Sequence, residues 1–381
     1  MKQLVPRPNL TEAQVLALRQ EAIGQLALVD LEVRTNFVAT TGCWLSWDET
    51  LGMCAHACGS GDVEVASYPS KNVIARFQGP AGAAWSEAVF SPDGRFLAVR
   101  FLVPTGALRV WELASQRLVW QSRDEQPAND YDPIFFTPDS RHLALPTREG
   151  LMLQALTPGG VPRFLQPGRI VHYLAFTSDS RRLAVFFSDR AQHLEVWDAG
   201  TGQTLHRFGS GMRPEKLRWH ADNERLAVAG DHHLAIWSIP PPGSPVSPTR
   251  SSAEFKGHSS LIVNLQFLPD GTSLLSSSWD TTSIIWDLVS GRPLFRETRM
   301  LLEQPSRGGD QVAARSEPPL RETVCGLHPR RGLRTAARAP RPSAAAGVWL
   351  SPDSRLVPDR APVSLSLFVG FVGFVVTTLP G

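Results

Sequence analysis

Short apolar segments recur along this chain, each alternating with polar residues and each bounded by Gly, Pro, Asn or Asp. Arg95-Phe-Leu-Ala-Val and Arg182-Leu-Ala-Val-Phe have the period-2 pattern of half-buried strands. An aromatic residue followed by a turn phrase precedes these segments: Phe90-Ser-Pro-Asp-Gly-Arg, Phe136-Thr-Pro-Asp-Ser-Arg, Phe176-Thr-Ser-Asp-Ser-Arg, Trp219-His-Ala-Asp-Asn-Glu and Phe267-Leu-Pro-Asp-Gly-Thr. Leu45-Ser-Trp-Asp-Glu is a weaker first copy. With turn aspartates at 48, 93, 139, 179, 222 and 270, the repeat length is about 40–45 residues, the span of a four-stranded unit. Third strands are expected at 63–67, 107–112, 149–155, 193–198, 232–238 and 283–288. Several of them end in Trp: Trp111, Trp197, Trp237 and Trp286.

Those Trp-Asp and Trp-Glu endings resemble the WD-repeat family over about residues 35–300. The resemblance implies an all-β propeller of six recognisable blades, with a degenerate seventh as an open alternative. In the best-formed copy Gly257-His258 opens the unit and Trp286-Asp287 closes it. There the resemblance implies a buried hydrogen-bond network of His258, Ser278, Asp280 and Trp286. Asp231 keeps the acidic position before Trp237, whereas Ala191 and Thr105 replace it before Trp197 and Trp111. Those two blades are therefore expected to rest on apolar packing. Leu18-Arg-Gln-Glu-Ala-Ile, leading into Leu26-Ala-Leu-Val-Asp-Leu, resembles the start of WD-repeat regions joined to bacterial serine/threonine kinases. No kinase motif accompanies it: the Gly-rich loop, the His-Arg-Asp loop and Asp-Phe-Gly are all missing from the sequence.

Outside the repeats, residues 1–34 are expected to be an amphipathic helix and lead-in. Thr11 and Gln14 make a capping box, and Val15, Leu18, Ala22 and Leu26 share one face. Residues 31–38 are the candidate strand that closes the ring against its last blade. Residues 301–381 are expected to form an irregular tail, because the Arg-, Pro- and Ala-rich stretch at 305–346 lacks alternation. Val363–Leu379 is uncharged between Pro362 and Pro380. As a helix it would span only about 25 Å against about 30 Å of hydrocarbon, so a membrane tail-anchor is the alternative to a cytoplasmic protein.

Composition narrows the function. Apolar residues make up 42% and charged residues 19% of 381 positions, with 38 Lys+Arg against 36 Asp+Glu. A balance this close gives no global field for nucleic acid or an anionic membrane surface. Four cysteines are too few for a disulfide scaffold and suit a reducing compartment. Cys54, His56 and Cys58 share a strand face, but same-face neighbours lie about 6.6 Å apart, too far to converge on one ion unaided. No metal, cofactor, small-molecule substrate or catalytic residue is therefore expected. His232-His233 is read as a solvated turn. Trp279, in the loop between second and third strands, is the candidate partner-binding residue. Asp130, Tyr131 and Arg213 are expected at the same rim. The expected function is a non-catalytic protein-interaction scaffold or sensor with protein partners. A propeller-based hydrolase or lyase, and a truncated kinase-associated product without independent activity, are the alternatives.

Overall fold

A computed structural model describes residues 29–38, 45–57, 62–80, 84–103, 107–122, 133–187, 193–251, 253–298, 300–308, 311–316 and 321–329. The helix expected at 11–25, residues 18–28 of the kinase-like phrase that runs to Leu31 and the apolar segment Val363–Leu379 lie outside the described residues, while Val29–Leu31 of that phrase begin a strand.

Seven four-stranded antiparallel sheets make up the described chain. Blade 1 runs through Leu45–Trp47, Met53–Ala57, Val63–Ser67 and Val73–Phe77. Blade 2 comprises Ala84–Phe90, Phe96–Val103, Leu108–Glu112 and Arg117–Gln121. Blade 3 comprises Phe135–Phe136, His142–Thr147, Gly150–Ala155 and Arg163–Leu165. Blade 4 comprises Val171–Phe176, Arg182–Phe187, His193–Asp198 and Thr204–Gly209. Blade 5 comprises Lys216–Trp219, Arg225–Gly230, His233–Ser238 and Thr249–Arg250. Blade 6 comprises Ile262–Phe267, Ser273–Ser278, Ser283–Asp287 and Pro293–Glu297. No helix occurs among these residues.

Blade 7 differs from the expectation that the repeats end near residue 300. Met300–Pro305, Gln311–Ser316 and Arg321–Pro329 form its first three strands, and Val29–Val38 supplies the fourth from the other end of the chain. The expected boundaries at 34/35 and 300/301 thus cut through one sheet. What hid this blade is its turn, which lacks Pro-Asp-Gly. Pro305-Ser306 takes the place of Phe90-Ser91, and the Ser306 hydroxyl still accepts the Gln311 N–H at 3.2 Å. Pairing the two chain ends in one sheet covers an edge that would otherwise stay open.

The sheets follow one another in a ring. First strands of neighbouring blades approach each other, which puts them at the axis. Apolar side chains fill the spaces between blades, as where Leu275 and Ile285 of blade 6 meet Leu302 and Val312 of blade 7. Blade 7 reaches blade 1 as well. Gln304 Nε2 donates to the Asp48 carbonyl at 2.9 Å, the Arg307 N–H donates to the Glu49 carbonyl at 2.8 Å, and Ala313 packs beside Trp47, Leu51 and Cys54.

The recurring turn phrase has a physical task. Ser91, Thr137 and Thr177 each accept the N–H five residues on, at 2.9, 3.0 and 2.9 Å, and each donates to the following Asp. Asp48, read from sequence as the equivalent of Asp93, instead occupies the position of Ser91: its Oδ1 accepts the Met53 N–H at 2.6 Å. The residue after Asp93, Asp139, Asp179, Asp222 and Asp270 has positive φ, a region where only Gly escapes steric cost. Ser140 and Ser180 accept that cost, and their hydroxyls take the N–H of Asp93 and Asp139 in the preceding blade, both at 3.1 Å. Turn is thereby tied to turn around the ring.

Candidate functional site

Blade 6 holds the polar network that the resemblance implied, with one member changed. His258 Nδ1 lies 3.2 Å from Asp280 Oδ2, and Nε2 lies 2.7 Å from Ser276 Oγ. Trp286 Nε1 donates to the same Ser276 oxygen at 2.8 Å. Ser278 stands outside the His258–Ser276–Trp286 relay but beside it: its hydroxyl donates to the Ser260 carbonyl at 2.9 Å and accepts the Asp280 N–H at 3.1 Å. The reason is register. Leu274 pairs with Trp286, and Ser276 is the next residue on the same strand face. Ser278 is one pleat farther on, at the strand end. Gly257 is required here, because a Cβ would stand 2.9 Å from the Trp286 ring.

Burial pushes the His258 imidazole below its ordinary value, against the pull of Asp280. In the neutral ring, Nδ1–H donates to the carboxylate, so Nε2 accepts from Ser276 while Ser276 accepts from Trp286. Burial alone would raise the Asp280 carboxyl. Hydrogen bonds from Thr282 and the Ser259 N–H outweigh it and hold the group at about 2. Ser, His and Asp stand in the order of a nucleophile relay, yet Ser276 has no exposed surface and His258 is buried. No substrate carbonyl can reach that hydroxyl in this conformation.

The other blades show why the network is not repeated. Opposite Trp237 is Leu226, and the residue two farther on is Val228. Trp237 Nε1 accordingly has no hydrogen-bond partner among the described residues. Asp231 keeps its acidic identity but is exposed. Around Trp111 the expectation of apolar packing describes the geometry: Phe77 stacks on it at 5.0 Å and Phe101 meets it edge-on at 6.3 Å.

Around Trp197 the expected apolar packing is present, with Leu174, Leu183, Val185 and Phe187 in one cluster, but a buried ion network joins it. Glu195, with 0% exposure, accepts Trp197 Nε1 at 2.8 Å. It also binds Arg169 through both oxygens at 2.7 and 3.0 Å, and Arg207 at 2.5 Å. Arg169 lies over the Phe187 ring, 3.8 Å from its centroid. Burial raises the Glu195 carboxyl, but Arg169, Trp197 and Arg207 prevail and hold it at about 2. Sequence reasoning looked for an acid six residues before the Trp and missed one two residues before it.

A second group escaped notice altogether. Glu87, Tyr173 and Lys216 are in the first strands of blades 2, 4 and 5, each three residues before the strand's last aromatic. Lys216 Nζ stands 4.8 Å from the Tyr173 ring centroid. Burial raises Glu87 to about 7 in spite of Arg100, and lowers Lys216 to about 7 in spite of Glu215 and Glu87. The polar residue at a constant offset was the readable signal.

At the ring surface, Trp279 occupies the turn between second and third strands of blade 6 and is 45% exposed. Its N–H donates to the Leu261 carbonyl at 3.0 Å, and the Ile262 N–H donates to the Asp231 carbonyl at 2.7 Å. Gly230, beside Asp231, packs so closely on the Arg213 carbonyl that a Cβ would overlap it. Arg213 and Trp279 therefore lie at one end of the ring, linked through the Leu261–Ile262 segment and the Gly230–Asp231 turn between them. Arg213 is solvated, with Nε 3.7 Å from Glu215. Asp130 and Tyr131 lie outside the described residues. His232 and His233 are exposed in the neighbouring turn, their ring centroids 4.0 Å apart.

Cys54 is buried beside Trp47, Leu51, Ala66 and Ala313, and His56 Nε2 is 3.6 Å from Glu64. Cys58 lies outside the described residues. Among the described residues no three His, Cys, Asp or Glu side chains are grouped to hold a metal. No helix among them is long and apolar enough to cross a membrane.

Comparison with known proteins agrees with this geometry. The family model "WD domain, G-beta repeat" matches residues 249–287, which contain the network of blade 6. Transducin beta-like protein 3 of Bos taurus is 27% identical over 210 residues, covering 52% of this chain and 25% of the relative. Coronin-7 of Bos taurus is 38% identical over 95 residues, covering 24% of this chain and 10% of the relative. The chain thus spans about a quarter of the first relative and a tenth of the second. These relatives are eukaryotic, and neither name supports the kinase-linked bacterial resemblance. The Myceliophteria thermophila Cps50 (Swd1) β-propeller domain superposes with a TM-score of 0.62 at 14% identity, covering 78% of this chain and all of that domain. With seven four-stranded sheets in a ring and a propeller neighbour, the chain is a β-propeller by fold, and its sixth blade matches a WD repeat.

Proposed function

We propose that this propeller is a non-catalytic scaffold that binds other proteins through the end of the ring bearing Trp279. The exposure of Trp279 carries the reading. An indole on a turn braced by the Leu261 carbonyl and by the Asp280 side chain is held out to solvent by a rigid support. Rigid Trp and solvated Arg are the residue types that concentrate binding energy at interfaces. The relay with enzyme-like order in blade 6, Ser276–His258–Asp280, is sealed inside the blade and serves the packing of Trp286.

The test is co-purification from the native host with wild type and Trp279→Ala as paired baits, followed by affinity measurement for any partner retained. Truncation of a true anchor lowers affinity by about thirtyfold, equivalent to roughly 2 kcal/mol. Because the side chain is nearly half exposed, the melting temperature stays within about 1 °C. Equal affinity for the two baits places the binding surface elsewhere.

A further inference from the structure

The loop between third and fourth strands is four or five residues long in blades 2, 4 and 6, but residues 239–248 make it ten in blade 5. Half of those ten are proline: Pro240, Pro241, Pro242, Pro245 and Pro248. A loop this proline-dense has few backbone donors and is biased towards the polyproline II helix. Its second half reads Pro245-Val-Ser-Pro-Thr-Arg250. With three residues per turn, Pro245 and Pro248 fall on one edge of such a helix, and Arg250 follows two residues later.

The structure presents this segment to solvent between two fixed ends. At its start, the Pro240 carbonyl accepts from Arg182 Nη1 at 3.2 Å and lies 3.2 Å from His206 Nε2, both in blade 4. Pro241–Ser244 then forms a turn closed by the Ser244 N–H on the Pro241 carbonyl at 3.2 Å, with Gly243 at φ +80°. Pro242 and Gly243 are the residues a type II turn calls for at its two central positions. At the far end Thr249 and Arg250 pair with Ser238 and Trp237 as the outermost strand of the blade. Between these anchors Pro245 and Ser247 are exposed, Val246 is 58% exposed, and Pro248 is half-buried at the strand junction. Arg250 is exposed, and among the described residues no carboxylate forms an ion pair with it.

We propose that residues 245–250 form a docking segment for an SH3-type domain. Such a domain has an aromatic-lined groove for the two prolines and an acidic pocket for the arginine. The proposal deepens the scaffold reading by naming a partner class at a different loop from Trp279. Proline and the two anchored ends lower the ordering entropy lost on binding. An exposed guanidinium is available to a carboxylate pair in the complex.

The probe is a purified SH3 domain selective for Pro-x-x-Pro-x-Arg peptides, titrated calorimetrically into the full chain. Saturable one-to-one binding is expected. Arg250→Glu should weaken it at least tenfold, and Pro245→Ala with Val246 and Pro248 unchanged should weaken it several-fold. Both variants should keep the wild-type melting curve, since Pro245 and Arg250 are exposed. Trp279→Ala should bind the SH3 domain as wild type does, so failure here and failure of the Trp279 surface are separable. Absence of binding by the wild-type chain overturns the proposal, as does equal binding by wild type and Arg250→Glu. Binding of a WW domain in place of the SH3 domain overturns the assigned partner class.

Discussion

Replacing Glu195 by Gln tests how much of blade 4 rests on a buried charge. The substitution keeps the shape of the side chain but removes the negative charge from between Arg169 and Arg207. Two routes give the magnitude. A carboxyl held at about 2 in place of 4.5 is favoured in its charged form by about 3 kcal/mol. Breaking one partner out of a buried ion pair costs about 3–5 kcal/mol in general. The low end applies, because Arg169 and Arg207 are partly solvated and can turn to water once the carboxylate is gone. For a propeller of about 300 residues the unfolding entropy is roughly 0.6 kcal/mol/K, so about 3 kcal/mol lowers the melting temperature by about 5 °C. Differential scanning calorimetry at pH 7, with urea unfolding as a second probe, reads both quantities. Adding Arg169→Met should recover part of the loss, since the orphaned cation is then gone as well. A melting temperature within about 1 °C of wild type would refute the claim that this ion network stabilises the blade.

Ser276→Ala should destabilise by about 1–3 kcal/mol, because it leaves the Trp286 N–H and one nitrogen of His258 buried without their shared partner. Chemical denaturation measures it, and an unchanged midpoint would remove Ser276 from the network. The pH profile should show two opposed trends. Glu195, Asp222 and Asp280 sit at about 2 in the fold. Their contribution is present above ordinary carboxylate values of about 4 and is lost as pH falls through about 2. Glu87, raised to about 7 by burial, has the opposite sign: its contribution is present below about 4.5 and is lost as pH rises through about 7. Urea midpoints from pH 2 to 7, below the range where Lys216 loses its proton, should therefore rise through the acid range and decline towards neutrality, and Glu87→Gln should flatten the decline. A decline that persists in that variant would exclude Glu87 as its source.

Much of the fold was legible in the sequence because each blade repeats one grammar. Strand alternation, Pro-Asp-Gly turns and a closing Trp are local signals, and six third strands could be placed from them to within a residue. The seventh blade was legible only in part: residues 31–38 could be read as its closing strand, whereas its other three strands could not, because their turn depends on Ser306, whose neighbours break the phrase. Pairing between residues about 290 positions apart leaves no periodic trace; it follows from the unmet edge of the last sheet. The candidate surface shows the same division. Trp279 could be named as the candidate anchor from its loop position in the sequence, whereas its shared end with Arg213 depends on the contact of Gly230 with the Arg213 backbone. Ser276 replaced Ser278 for a reason only cross-strand register supplies, and Glu195 replaced an absent acid because two arginines from elsewhere in the blade converge on it. Sequence by itself thus determined the repeating strand and turn chemistry, which is settled within a few residues. Tertiary structure decided which polar side chains meet and how the ring closes, because those outcomes depend on groups brought together from distant parts of the chain.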